Sequence, residues 1–223
     1  MKEYIKKLPE EIQELIKLAG RLADSENVSA YLVGGFVRDL ILNVKNLDLD
    51  IVVENDGIRF AEELSGELKV KLIRHRRFGT ATVLIKPHIK LDVATARKEF
   101  YPKPACLPVV SSGTLKDDLF RRDFTMNAMA ISINSGTFGE LIDFFGGQED
   151  LKKMKLRVLH DLSFIDDPTR ILRAIRFETR HDFKFETKTL KLLKEAIRLK
   201  MLNKVEPQRL RDDLILILKR KNP

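Results

Sequence analysis

Four clusters in this 223-residue chain carry residue types and spacings suited to chemistry on phosphates. In Leu47-Asp48-Leu49-Asp50-Ile51 two carboxylates alternate with apolar residues, and residues two apart on a strand project from the same face. Hard divalent cations such as Mg²⁺ prefer carboxylate oxygen, and two ions about 4 Å apart clamp the attacking and leaving oxygens of a phosphoryl displacement. A solvent-facing strand pair has the same pattern, so Asp48 and Asp50 do not identify the chemistry by themselves. Asp92, in Ile89-Lys90-Leu91-Asp92-Val93, falls on the face opposite the apolar positions. It is the candidate third carboxylate, with an ordinary exposed strand residue as the alternative.

The other three clusters suit a nucleotide. Val33-Gly34-Gly35-Phe36-Val37-Arg38-Asp39 reads as a strand end, a glycine pair and a helix start. Gly34 and Gly35 let backbone approach a ligand, helix N-terminal amides favour anions, and Arg38 offers a guanidinium fork to a triphosphate. A plain tight turn is the alternative, and the spacing matches neither a dinucleotide fingerprint nor a Walker A loop. Arg121-Arg122-Asp123-Phe124-Thr125-Met126-Asn127-Ala128 sets two guanidinium groups beside a carboxylate and an amide, suited to two-point phosphate contacts or to a surface salt bridge. In Asp166-Asp167-Pro168-Thr169-Arg170-Ile171-Leu172-Arg173-Ala174-Ile175-Arg176-Phe177, Asp167 is the expected N-cap and Pro168 the first helical residue. Arg170, Arg173 and Arg176 form a drifting basic stripe opposite Ile171, Leu172 and Ile175. Asp167 and Arg170, an acceptor and a donor fork three apart, suit the hydrogen-bonding edge of a base, with capping plus solvation as the alternative.

The elements that must position these residues follow from hydrophobic periodicity. A helix is expected over 9–25, strands over 28–33, 49–53, 68–73, 80–85 and 89–93, and a helix over 58–64. Residues 97–115, with Pro102, Pro104, Pro108 and Gly113, read as an irregular segment and a candidate moving part. Beyond Ser163 the strand pattern ends and helices are expected over 167–180, 186–201 and 207–219. The fold class is therefore α/β (α+β), a mixed sheet with flanking helices followed by an all-helical region. A hydrophobic content of 43% can supply a core. No apolar run approaches the roughly 20 residues of a membrane span, and the N-terminus has no signal-peptide segment, so no membrane and a cytoplasmic location are the expectation. Cys106 is the single cysteine and has no partner at zinc-ligand spacing. Of the net charge of +8, +7 lies from Lys184 onward, a run that suits either a solvated helical surface or a phosphate backbone.

Taken in this order, Leu32-Val33-Gly34-Gly35-Phe36-Val37-Arg38-Asp39, Asp48-Leu49-Asp50, the segment from Arg121 to Ala128 and the segment from Asp167 to Phe177 resemble the class II tRNA nucleotidyltransferases and bacterial poly(A) polymerases over residues 31–183. The resemblance implies a nucleotidyltransferase-type catalytic head over 1–162 and a helical neck over 163–223 that selects the nucleotide and binds RNA. It implies template-independent transfer of AMP or CMP from ATP or CTP to the 3′ end of tRNA, with two Mg²⁺ ions and release of pyrophosphate. Poly(A) addition to RNA 3′ ends and a non-catalytic RNA-binding remnant are the alternatives. By the same resemblance Asp48 and Asp50 are the metal carboxylates, and Asp92 stays the candidate third catalytic acid on its strand placement alone. Gly34, Gly35, Arg38, Arg121, Arg122, Asp123 and Asn127 fall on the nucleotide-binding motifs. Asp167 and Arg170 select the base, Arg173 and Arg176 support the nucleotide, and residues 97–115 match a flexible loop tied to nucleotide choice. Asp166-Asp167 departs from the usual Glu-Asp of that motif. The family continues into body and tail domains that this sequence lacks. The apolar run Leu214-Ile215-Leu216-Ile217-Leu218 is therefore expected to meet a missing domain, a second copy in a homodimer, or a partner chain.

Overall fold

The computed structural model describes residues 1–86 and 89–219. The strands of its first part are β1 (Ala30–Val33), β2 (Leu49–Val53), β3 (Lys71–His75), β4 (Thr80–Lys86), β5 (Ile89–Thr95), β6 (Arg97–Phe100), β7 (Val109–Ser112), β8 (Ala130–Ser132) and β9 (Leu141–Ile142). Among the described residues, seven of them form one mixed sheet in the order β3-β4-β5-β2-β1-β8-β9, while β6 and β7 form a separate ribbon. β2 and β5 pair in parallel and the other neighbours in the large sheet are antiparallel. A parallel pair requires a crossover. Here that crossover contains a helix and the β3–β4 hairpin.

The helices of this part are α1 (Lys2–Ile5), α2 (Glu10–Ser25), α3 (Gly35–Ile41), α4 (Gly57–Leu68) and α5 (Leu115–Phe120). α4 begins where the Asp56 carboxylate accepts from the amides of Ile58 and Arg59, each at 3.0 Å, an N-cap that satisfies two otherwise orphaned donors. Its buried stripe of Phe60, Ala61 and Leu64 lies on β4 and β5, whose Ala81, Val83, Leu91 and Val93 are also buried. One face of the sheet is therefore apolar and helix-covered, and the opposite face carries Asp50, Thr82 and Asp92. The strand expected over 68–73 starts later because α4 runs to Leu68 and ends at Lys69, with φ 54°. The segment over 97–115, expected to be irregular, contains the β6 and β7 strands instead.

By compactness the chain divides into two units. The first comprises Met1–Lys98, Val110–Arg121 and Asn127–Phe145, and the second Glu99–Val109, Arg122–Met126 and Gly146–Pro223. The second unit contains α6 (Gly147–Lys152), β10 (Lys155–Leu156), α7 (Ser163–Asp166), α8 (Thr169–His181), β11 (Lys184–Phe185), α9 (Thr187–Arg198) and α10 (Pro207–Leu218). β10 pairs in parallel with β11, and Thr125 donates to the Asp150 carboxylate at 2.8 Å. These bonds group residues on both sides of position 163 in the second unit. Its core includes Phe124, Leu156, Phe164, Ile171, Phe177, Phe183 and Leu193, with Phe124 and Phe177 edge-on at 5.8 Å. On α10, Leu214, Ile215, Leu216 and Leu218 are exposed. Among the described residues no helix is long and apolar enough to cross a membrane.

Candidate active site

In the first unit, strand alternation and register set the carboxylates. Leu49 and Ile51 are buried in the sheet, and the intervening Asp50 is half-buried on the other face. Asp48 is exposed and stands one residue before β2. The β2–β5 register puts Asp50 directly beside Asp92, on strands about 4.8 Å apart. Asp92 accepts from the Thr82 hydroxyl and lies 3.2 Å from the Lys90 ammonium. The hydrogen bond and charge of Asp92, then the charges of Asp48 and Asp50, hold the Lys90 ammonium above the usual lysine range. One cation is thus drawn by the field of all three acids.

A buried polar network positions this group. Arg38 and Asp39 are 6% and 3% exposed, values at which unpaired charge would be costly. The Arg38 Nε donates to Asp39 Oδ1 at 2.8 Å and its Nη1 donates to Asn127 Oδ1 at 2.7 Å. Asn46 donates to Asp39 Oδ2 at 2.8 Å, and its own Oδ1 accepts from the Asp48 amide at 2.9 Å. Polar bonds therefore run from Asn127 through Arg38, Asp39 and Asn46 to the backbone of Asp48. The expected phosphate fork of Arg38 faces Asp39 and Asn127 here, because a buried guanidinium needs those acceptors. Asp39 and Asn46 were not legible as site residues, although an Asn two positions before Asp48 is a signal for a local side-chain-to-backbone turn. Gly34 caps α3 with φ 70° and ψ −135°, a left-handed backbone that favours glycine, and no side chain caps the helix. Arg121 sends both Nε and Nη2 to the buried Asp118 Oδ1, at 2.9 and 2.7 Å.

Among the described residues no three His, Cys, Asp or Glu side chains are gathered closely enough to hold a metal ion. Asp48, Asp50 and Asp92 nonetheless offer carboxylate oxygens, the donor type that hard divalent cations take together with water and substrate phosphates. Hard oxygen donors that already attract an ammonium suit such an ion.

In the second unit the Asp167 carboxylate accepts from the Thr169 amide and hydroxyl at 3.2 and 2.8 Å, and from Arg209 Nη2 on α10 at 2.8 Å. The helix begins one residue later than expected, with Pro168 as N-cap. Arg170 is 4% exposed and its Nη1 donates to the Ser163 hydroxyl at 2.6 Å. Arg173 donates from Nε and Nη2 to Asp123 Oδ2 at 2.8 and 2.6 Å, and Asp123 raises the Arg173 pKa. Arg176 lies 3.8 Å from Asp213, and Arg122 is half-buried. The expected amphipathic division of α8 is corrected. Ile171, Ala174 and Phe177 are buried while Ile175 is 38% exposed. The arginines turn inward because carboxylates and a hydroxyl there satisfy them.

Tyr101 and His160 belong to the same neighbourhood and were not anticipated. Tyr101 donates to Glu99 at 3.0 Å, and burial first, then the Glu99 charge, raises its phenol pKa against the opposing Arg170. Burial and Arg170 push His160 down to about 4, so its ring is neutral near pH 7. Burial raises the Asp166 pKa.

A family model described as the poly A polymerase head domain matches residues 30–157. The A-adding tRNA nucleotidyltransferase of Geobacter sulfurreducens is 44% identical over 216 residues, which cover 97% of this chain and 24% of that protein. A solved CCA-adding enzyme in an apo form superposes with a TM-score of 0.94 at 49% identity, covering 100% of this chain and 52% of that one. The Thermotoga maritima CCA-adding enzyme complexed with tRNA matches with a TM-score of 0.88 at 48% identity, covering 100% of this chain and 51% of that one. The chain thus spans about half or less of the length of these relatives.

Proposed function

Because the chain belongs to the poly A polymerase head domain family, we propose that it is the catalytic and nucleotide-selecting part of an enzyme that adds AMP, or CMP and AMP, to the 3′ end of tRNA. The observation that carries this reading is the β2–β5 register, which sets Asp50 beside Asp92 with Asp48 just before the strand. In the reaction the RNA 3′-hydroxyl attacks the α-phosphorus of ATP or CTP, a phosphodiester forms, and pyrophosphate leaves. Bound Mg²⁺, in a two-ion arrangement, supplies hydroxyl activation and charge neutralisation at the phosphates. Asp48 and Asp50 hold it, and Asp92 extends the acidic face. Gly34 and Gly35 give backbone access to the triphosphate, and Arg121 and Arg122 are its cationic partners. Arg38, Asp39, Asn127 and Asn46 act as positioning residues through the Asp48 backbone.

Base choice is assigned to Asp167 and Arg170, whose acceptor and donor groups are fixed in place by Thr169, Arg209 and Ser163. Asp123, Arg173 and Arg176 support that pair. The A-adding relative favours AMP as the transferred group. Poly(A) addition is the nearest rival, and a cytoplasmic location goes with a tRNA substrate. The exposed leucines of α10 support a covering body domain, a second copy or a partner chain.

Incubation with Mg²⁺, labelled ATP or CTP, and tRNA transcripts ending one, two or three nucleotides short of CCA tests the reading. Extension by one A, by CCA, or by a long A tract distinguishes the activities. Failure of both nucleotides on every transcript, with RNA binding retained, would leave only a binding module.

A further inference from the structure

The sheet face that carries Asp50 and Asp92 continues outward to the edge strand β3. Thr82 donates to Asp92 and is the register partner of Ile73 on β3, so Ile73 stands on the same face. Lys71 and His75, two positions to either side, share that face by strand alternation. Arg74 falls on the other face, where it pairs with Glu62 of α4 at 2.5 Å. At the hairpin tip Arg76, Arg77 and Phe78 form one 3₁₀ turn, closed by Gly79 with φ 62°. The turn is braced by Arg97, which donates to the Phe78 carbonyl at 2.9 Å.

This edge is strongly cationic. Residues 69–78 contain five Lys or Arg, one His and no acid. Among the described residues no carboxylate pairs with Lys71, Arg76 or Arg77, and all three are exposed. Ile73 and Phe78 are 40% and 42% exposed, and the Arg77 guanidinium lies 5.5 Å from the Phe78 ring centroid. Solvent-facing cations beside an exposed ring form the combination that binds an extended polyanion with stackable bases. β3 lies two strand spacings, about 10 Å, from β5 and its Asp92.

We propose that the β3–β4 hairpin is a docking track for the RNA strand upstream of its 3′ end. Lys71, Arg76 and Arg77 take backbone phosphates, and Phe78 stacks on a base. The inference rests on the RNA 3′-end reading given above and adds a surface that directs the strand toward Asp50 and Asp92. It is independent of which nucleotide is added.

The test measures binding of the full chain to a fluorescein-labelled tRNA transcript one nucleotide short of CCA, at several salt concentrations, beside binding of a fluorescent ATP analogue. Arg76→Glu with Arg77→Glu is expected to weaken RNA binding at least about tenfold and to lower the slope of log affinity against log salt by between about one and two. Phe78→Ala is expected to weaken RNA binding about tenfold with the slope unchanged. ATP affinity and thermal midpoint should stay at the level of the unaltered chain, since these side chains are exposed. Unchanged RNA affinity and slope in both variants would overturn the proposal, as would a parallel loss of ATP affinity. Absence of nucleotide addition by the unaltered chain would sink the transferase reading and leave this binding comparison to be judged separately.

Discussion

The carboxylates of the first unit and the arginines of the second differ in how their charge is satisfied. Asp48, Asp50 and Asp92 are partly exposed and share the field of one flexible ammonium, Lys90. Arg170 and Arg173, by contrast, are tied by short bonds to Ser163 and Asp123. A site that recruits ions and phosphates from solvent works when its ligands stay accessible. A site that distinguishes one base edge from another works when its donors and acceptors are held before the ligand arrives, because binding then orders fewer side chains. The first region should therefore respond to substitution mainly in activity, and the second in stability as well.

The largest expected effect is on chemistry. Asp50→Asn should lower nucleotide incorporation more than about 1,000-fold, a loss of ~4 kcal/mol of transition-state stabilisation, with an unchanged denaturation midpoint. An unfolded variant would erase the contrast. Next, Arg173→Ala removes both guanidinium bonds to the buried Asp123 Oδ2 and should cost about 2 kcal/mol of stability, less than a fully buried pair because Arg173 is partly exposed. Urea denaturation reads it, and no loss would show that the second region is not held by this pair. Asn46→Ala should slow incorporation about tenfold by releasing the Asp48 backbone, an effect of ~1.4 kcal/mol, with stability changed much less than by the Arg173 substitution. Lys90→Met removes the competing ammonium and should tighten Mn²⁺ binding about threefold, seen by electron paramagnetic resonance as less free ion. Weaker Mn²⁺ binding would mean that Lys90 supports the site.

A further effect separates the regions by pH. His160 has a folded pKa of about 4 against an ordinary value of 6.5. Between these values the unfolded chain takes up a proton that the folded chain refuses. Stability is then full above pH 6.5 and is lost as pH falls toward 4. His160→Gln should flatten the fall between pH 6.5 and 5, measured by denaturation midpoints. An identical pH profile would show that burial of this ring is not coupled to folding.

The sheet face bearing Asp50 and Asp92 was legible because period-two alternation is a local property, and Leu49-Asp50-Ile51 and the strand over 89–93 have it. Their side-by-side register was not, since it depends on a crossover through α4, β3 and β4 that no local pattern specifies. The motif around Arg38 suggests a guanidinium that pairs triphosphate oxygens, while in the structure that group is buried beside Asp39 and Asn127. Its inward position depends on Asn127, 89 residues away, as an acceptor. The basic stripe of α8 was misread for the same reason: Asp123 lies 50 residues before Arg173. Such pairings come from tertiary packing, which overrides the helical wheel. The apolar end of α4 imitates a strand start, so the local pattern places the hairpin strand at Lys71–His75 too early.

The central claim is that Asp48 and Asp50 hold the metal ions of the reaction, and Mn²⁺ binding in the presence of a non-hydrolysable ATP analogue tests it most directly. Titration followed by electron paramagnetic resonance should give two bound ions per unaltered chain, and a loss of that binding in Asp48→Asn with Asp50→Asn at an unchanged thermal midpoint. Equal Mn²⁺ stoichiometry and affinity in the unaltered and doubly substituted chains would contradict the account.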